Sequence, residues 1–234
     1  MIRAVIFDLD NTLVDFMAMK GKAVDAAVQA MIDAGLNLST IEARTRIDQI
    51  YQEKGIEYQT VFDSLLYDIF NKVDYKILSA GIIAYRRARE AALVPYPHVQ
   101  LTLMSLLKQG LLLGVVTDAP ARAAWLRLCG LGFHHIFHTV VTFDDTGVRK
   151  PLPEPFQKAL ELLKTPAAEA LMIGDWAERD MVGASNLGMK TVFARYGDTF
   201  GTVETHADYE ISDIKELLTI IAAENAVEAG VGRG

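Results

Sequence analysis

The chain has a single cysteine, Cys129, so it can form no internal disulfide, as suits a reducing compartment. It also lacks any apolar run near the roughly 18 residues that a membrane span needs. The apolar start, Met1 to Phe7, is cut off by Asp8 and Asp10 before a signal-peptide core could form. These absences point to the cytoplasm and away from membranes. Positive charge is scarce too: 23 basic against 30 acidic side chains leave a net charge of −7. A field of that sign does not attract polyphosphate backbones, so nucleic acid is not an expected partner. No internal repeat and no low-complexity stretch is present. What remains is an ordinary globular mix, 51% hydrophobic and 23% charged, which excludes disordered, collagen-like and coiled-coil readings. At 234 residues the chain allows one large domain or two small ones, with a core that needs no metal or disulfide to hold it.

Three short apolar runs share one design. Arg3–Phe7 leads into Asp8, Leu111–Val116 into Thr117, and Ala170–Gly174 into Asp175. Apolar runs without alternation suit strands buried on both faces, as in a parallel sheet covered by helices. Weaker strands are expected at 139–143, 191–194 and 209–211. Helical patterns fall between them, at 98–108, 121–129 and 153–163, with a last helix from a Ser212 cap to about Glu224. The segment 226–234, with three glycines in nine residues, is expected to fray. Between Asp10 and the second strong strand the chain runs for about 100 residues, far more than one crossover needs. Segments 18–34, 40–54, 57–70 and 74–92 read as helices, with Ser39-Thr40-Ile41-Glu42 as a capping box before the second. The fold class is therefore α/β: a Rossmann-like parallel sheet core with helices on both faces, formed by 1–15 and 94–225. An all-helical insertion, 16–93, leaves the sheet after its first strand.

Polar residues at the carboxyl ends of such strands stand where open α/β sheets place their ligands. In Asp8-Leu9-Asp10-Asn11-Thr12, the two carboxylates at i and i+2 of an extended chain point the same way. They repel each other and call for a cation or a shared proton, and oxygen-only ligands suit Mg²⁺. Alone, the cluster fits equally well a turn rich in Asp and Asn. Three further clusters decide for chemistry: Thr117-Asp118 after the second strand, Arg149-Lys150-Pro151 before a helix that starts with prolines, and Gly174-Asp175-Trp176-Ala177-Glu178-Arg179-Asp180 after the third strong strand.

With these four clusters in this order, the chain resembles the haloacid dehalogenase superfamily of phosphohydrolases over nearly its whole length. The resemblance implies Asp8 as the nucleophile that forms an aspartyl-phosphate, and Asp10 as the acid that protonates the leaving alcohol and then the base that activates water. It implies Mg²⁺ held by an Asp8 oxygen, the Asp10 backbone carbonyl and Asp175, with Asp180 orienting the metal's ligands. Thr117 would donate to a phosphate oxygen, and Lys150 would stabilise Asp8 and the phosphoryl oxygens. Backbone N–H groups around Leu9, Asn11 and Asp118 are further expected phosphate contacts, while Thr12 is expected to stabilise its own turn.

The helical insertion sits where this family places its first-type cap, which implies a small phosphorylated metabolite as substrate. Phe16, Met17, Lys20, Arg86, Arg87 and Arg89 are candidate contacts there, each with a plain packing or solvated-face reading beside it. Cys129 reads as an inert core thiol, and His134, His135 and His138 as ordinary packing and surface residues. Trp176 could line the site's rim or cover the sheet end. The resulting expectation is a Mg²⁺-dependent phosphatase resembling the phosphoglycolate phosphatase branch. A phosphomutase resembling β-phosphoglucomutase is the alternative. Dehalogenation is disfavoured because the family's dehalogenases lack the second aspartate that is Asp10 here. A signalling receiver domain would not carry the insertion, and a degenerate phosphoester-binding scaffold would have lost an acidic residue.

Overall fold

The computed structural model describes residues 1–231 and divides the chain into two compact units, Met1–Asp15 with Val94 onward, and Phe16–Leu93.

In the first unit, six strands among the described residues form one parallel sheet: β1 (Ala4–Phe7), β2 (Leu112–Val116), β3 (Thr139–Val141), β4 (Ala170–Gly174), β5 (Lys190–Ala194) and β6 (Tyr209–Ile211). Their spatial order is β3-β2-β1-β4-β5-β6. Every residue of β1 and β4 is buried, which is why these runs carry no polar alternation. The register pairs Phe7 with Val115 on one side and Ile173 on the other. The polar residues just beyond them, Asp8, Thr117 and Asp175, therefore emerge at one edge. The strand order reverses between β1 and β4, so this edge is also the switch point at which open α/β sheets bind ligands.

The helices that connect these strands were largely legible in the pattern: α5 (Val99–Lys108), α6 (Ala121–Gly130), the short α7 (Phe143–Thr146), α8 (Pro153–Leu163), the short α9 (Val182–Ser185) and α10 (Glu216–Val231). Phe156, Ala159 and Leu163 of α8 pack on Ile6, Val116 and Met172 of the sheet. Three local readings are corrected. The strand expected over 139–143 ends at Val141, because Thr142 caps α7 in a capping box with Asp145. Ser212 does not cap α10 with its side chain; the Glu216 carboxylate accepts the Ser212 and Asp213 N–H groups instead. Helix α10 also runs past Glu224 into the segment expected to fray, and residues 232–234 lie outside the described residues.

The second unit is all helical: α1 (Phe16–Asp33), α2 (Thr40–Lys54), α3 (Val61–Phe70) and α4 (Tyr75–Ala92). Its core joins Val28 and Met31 of α1 to Ile47 of α2, Leu65 and Leu66 of α3 and Leu78 of α4. Gly81 lets α4 approach α1 closely, since a Cβ there would stand 2.6 Å from Met31 Cγ. Ser39 and Glu42 form the expected capping box: the Ser39 hydroxyl accepts the Glu42 N–H at 3.2 Å, and the Glu42 carboxylate accepts the Ser39 N–H at 3.0 Å.

Candidate active site

The loop after β1 is held from several directions. Asp8 N–H donates to Ile173 carbonyl at 2.9 Å, which continues the β1–β4 pairing. Leu13 N–H returns to Leu9 carbonyl at 3.0 Å, and Asn11 takes the left-handed conformation (φ 59°) that Asn tolerates better than most residues. Two groups that the sequence reading passed over complete the clamp. Tyr196 hydroxyl donates to Thr12 carbonyl at 2.8 Å, and Gly197 lies so close to the loop that a Cβ there would overlap Asn11 carbonyl oxygen. Both follow β5, and their position at a carboxyl strand end was the signal available for them.

At the switch point, Lys150 joins the expected residues. Its Nζ donates to Asp8 Oδ1 at 2.5 Å, to Asp180 Oδ1 at 2.6 Å and to Val116 carbonyl at 3.2 Å. Burial alone would push the ammonium towards neutrality, but Asp180 and Asp8 outweigh it and hold Lys150 charged, above its ordinary range. Asp8 is raised well above the usual carboxylate range, first by burial and then, against the pull of Lys150, by the neighbouring carboxylates. Burial and then Asp180 push Asp175 up to about 8. Asp180 is raised by burial, with Lys150 opposing; its other oxygen, Oδ2, accepts Trp176 N–H at 3.1 Å.

Asp8, Asp175 and Asp180 can each place one carboxylate oxygen within 4.8 Å of the others, all of them buried. Fully ionised, three carboxylates and one ammonium would sum to −2, the charge that one divalent cation would offset. An all-oxygen donor set with raised carboxylate pKa values fits Mg²⁺. The carboxylate of Asp10 is not part of this group of three. Asp10 instead pairs with Arg127, Nη1 to Oδ2, at 3.2 Å.

The remaining expected residues have defined places. Thr117 hydroxyl is buried and accepts Ala119 N–H at 3.1 Å. Asp118 is tied down by its side chain: Oδ1 accepts Lys150 N–H at 2.9 Å and Oδ2 accepts from Arg179 at 2.8 Å. Leu9 is fully buried and Asn11 nearly so. Thr12 does more than stabilise its own turn, because its hydroxyl donates to Asp175 Oδ1 at 3.3 Å and links two of the clusters. Trp176 is half-buried between the Arg179 guanidinium, 3.7 Å from its ring, and Phe200 at 4.5 Å. His138 Nδ1 accepts Leu113 N–H at 3.0 Å, a structural role. Cys129 is exposed, not a core thiol. Helix α6 turns Ala124, Arg127 and Leu128 inward, at i, i+3 and i+4, so its buried polar residue is an arginine two positions away.

In the helical unit, Phe16 is buried, and Met17, Arg86 and Arg87 are exposed. Lys20 is buried, with its ammonium 4.4 Å from the Tyr51 ring centroid and 5.4 Å from that of Tyr85. The Arg89 guanidinium lies 5.8 Å from the same Tyr85 ring.

Comparison with known proteins bears on this geometry. The model of the haloacid dehalogenase-like hydrolases matches residues 5–194. The chain belongs to that family. It is 38% identical to a glyceraldehyde 3-phosphate phosphatase of Methanocaldococcus jannaschii, over 94% of this chain and 97% of that one. It is 29% identical to the pyrophosphatase PpaX of Oceanobacillus iheyensis, over 94% and 97% of the two chains. A crystal structure of a HAD phosphatase from Thermococcus onnurineus superposes with a TM-score of 0.68 at 27% identity, covering 94% of this chain and 98% of that one. The fold is thus the Rossmann-like α/β fold of these hydrolases, and the chain is an enzyme of the phosphoric monoester hydrolase class. Among the described residues no helix is long and apolar enough to cross a membrane.

Proposed function

We propose that this hydrolase dephosphorylates a small phosphorylated metabolite through an aspartyl-phosphate on Asp8, with a three-carbon sugar phosphate such as glyceraldehyde 3-phosphate as the first substrate to test. The observation that carries the reading is Lys150 bridging Asp8 and Asp180 beside Asp175 at the switch point. An isolated carboxylate there would be a poor nucleophile towards a dianionic phosphate. A fixed ammonium lowers the repulsion and remains in place as charge develops on the phosphoryl oxygens.

In the first half of the reaction an Asp8 oxygen forms a bond to phosphorus while the ester oxygen leaves. Asp10 gives its proton to that oxygen, so an alcohol departs rather than an alkoxide. In the second half Asp10 takes a proton from water, the water oxygen bonds to phosphorus, and the Asp8 carboxylate is released with inorganic phosphate. Mg²⁺ bound by Asp8, the Asp10 backbone carbonyl and Asp175 would supply positive charge to the phosphoryl oxygens. Thr117 and the N–H groups of Leu9 and Asp118 hold the phosphate, whereas Asn11 N–H, expected to join them, donates to Val14 carbonyl at 2.7 Å and so fixes the loop instead; Asp180 keeps Lys150 in position.

The test is phosphate release by the purified protein from glyceraldehyde 3-phosphate, pyrophosphate and p-nitrophenyl phosphate. Each is measured with Mg²⁺, with Ca²⁺ and in excess chelator. The expected result is turnover that chelation abolishes, that Mg²⁺ restores and that Ca²⁺ restores poorly, because Ca²⁺ prefers more ligands at longer distances. Full activity in excess chelator, after removal of tightly bound metal, would overturn the reading.

A further inference from the structure

Arg127 is buried within α6, yet its charged end reaches Asp10, an acidic residue of the site that stands outside the three-carboxylate group. Its side chain is 7% exposed, and Nη1 lies 3.2 Å from Oδ2 of Asp10, whose side chain is 22% exposed. Burying a guanidinium is costly unless it meets a partner of opposite charge. A guanidinium this close to a carboxylate favours the carboxylate rotamer that keeps the two charges together.

The helix that carries Arg127 is tied at both ends. Helix α6 starts directly after Thr117 and Asp118, and the Asp144 carboxylate accepts Ala121 N–H at 2.6 Å at its first turn. Arg127 carbonyl accepts Leu131 N–H at 2.9 Å at its last. Because β1 and β2 are neighbours, the helix that follows β2 lies beside the loop that follows β1.

We propose that Arg127 is the positioning residue for Asp10, holding the carboxyl in the orientation from which it passes a proton to the leaving oxygen. The inference rests on the reading of Asp10 as the acid and base of the reaction. Without Arg127 the Asp10 side chain samples other rotamers, and misplacing a catalytic group slows the step that it serves. The loss then follows the leaving group. An alkyl phosphate, which needs its alkoxide protonated, suffers; p-nitrophenyl phosphate, whose leaving group departs unaided, hardly does.

Rapid-quench measurement of aspartyl-phosphate formation from both esters tests this in wild type, Arg127→Met, Arg127→Lys, Asp10→Asn and the Arg127→Met/Asp10→Asn double variant. Arg127→Met is expected to slow the step with the alkyl ester on the order of 10–10²-fold, with KM unchanged, and with the nitrophenyl ester less than about threefold. Arg127→Lys should recover part of the loss, and the double variant should be no slower than Asp10→Asn. Equal loss with both esters, or losses that multiply in the double variant, would show Arg127 to be structural only and overturn the proposal. If Arg127→Met fails to fold, the ratio of the two esters in Arg127→Lys decides in the same way. A wild type that forms no aspartyl-phosphate overturns the proposed function and this inference together. A wild type with an ester-dependent Asp10→Asn defect but an indifferent Arg127 overturns this inference alone.

Discussion

Lys150 and Lys20 are both buried, one in each unit, and each ties separate segments of its unit together by different means. Lys150 bonds to Asp8 after β1, to Asp180 after β4 and to the carbonyl of Val116 in β2. Lys20, on α1, lies over the rings of Tyr51 on α2 and Tyr85 on α4. The surroundings differ accordingly. Around Lys150, buried carboxylates are crowded until their pKa values rise, an arrangement that costs stability and creates reactivity. In the unit that holds Lys20 the helices meet through aliphatic and aromatic side chains such as Val24, Ile47, Leu65 and Tyr51, an arrangement that mainly stabilises. One unit concentrates electrostatic strain at a strand end, and the other spreads apolar contact across helix faces.

The largest expected effect strikes the strained side. Asp8→Asn should lower turnover on the order of 10⁴-fold or more, because the amide is neither a nucleophile nor a good metal ligand. Circular dichroism and thermal melting should remain those of a folded protein, since the substitution removes one of the crowded negative charges. Substantial phosphate release by purified Asp8→Asn would sink the covalent mechanism.

The two lysines can be compared directly by urea unfolding. Lys150→Met leaves buried carboxylates without their cation and should cost about 3–5 kcal/mol, with most activity lost. Lys20→Met keeps the aliphatic stem and loses cation–π attraction, for about 0.5–2 kcal/mol. Equal costs at the two sites would erase the contrast drawn here.

The crowding itself should show as pH dependence in chelator-treated protein. Asp175 titrates at about 8 in the folded state, above the ordinary carboxylate value near which it titrates when unfolded. A raised acid of this kind contributes stability that is complete below the unfolded value. That contribution is lost as pH rises through the folded one. Chelated protein should therefore lose stability between roughly pH 4 and pH 8. Added Mg²⁺ should reduce the slope; an identical slope with and without Mg²⁺ would argue against a cation at these carboxylates.

The smallest effect belongs to the helical unit and has the opposite sign. The Ser39 hydroxyl and N–H lower the pKa of Glu42. The stability from this capping box is therefore present above the unfolded carboxylate value and is lost as pH falls through the folded one. Glu42→Gln should remove a shallow acid limb from the denaturation profile; an unchanged limb would mean that the box contributes nothing measurable.

Much of this was written locally. Apolar runs without alternation announced strands buried on both faces, and the residues that end them, Asp8, Thr117 and Asp175, were legible as candidate site residues because strand ends are where such sheets bind. Helix α8 starts and stops where its prolines and apolar spacing place it, and the Ser39 box needed only four residues to be recognised. Local signals of this kind depend on chain geometry within one turn or one strand, so sequence alone determines them. Tertiary structure decided everything that depends on which side chains meet across distant segments. It placed Arg127 inward and Cys129 outward, because the inward face of α6 is set by what that helix packs on and not by the polarity of its residues. It brought Tyr196 and Gly197 against the Asp8 loop, and it aimed the Thr12 hydroxyl at Asp175, beyond its own turn. The charge of Lys150 and the raised carboxylates beside it likewise exist only in the fold, where burial removes the water that would otherwise keep each group near its ordinary pKa.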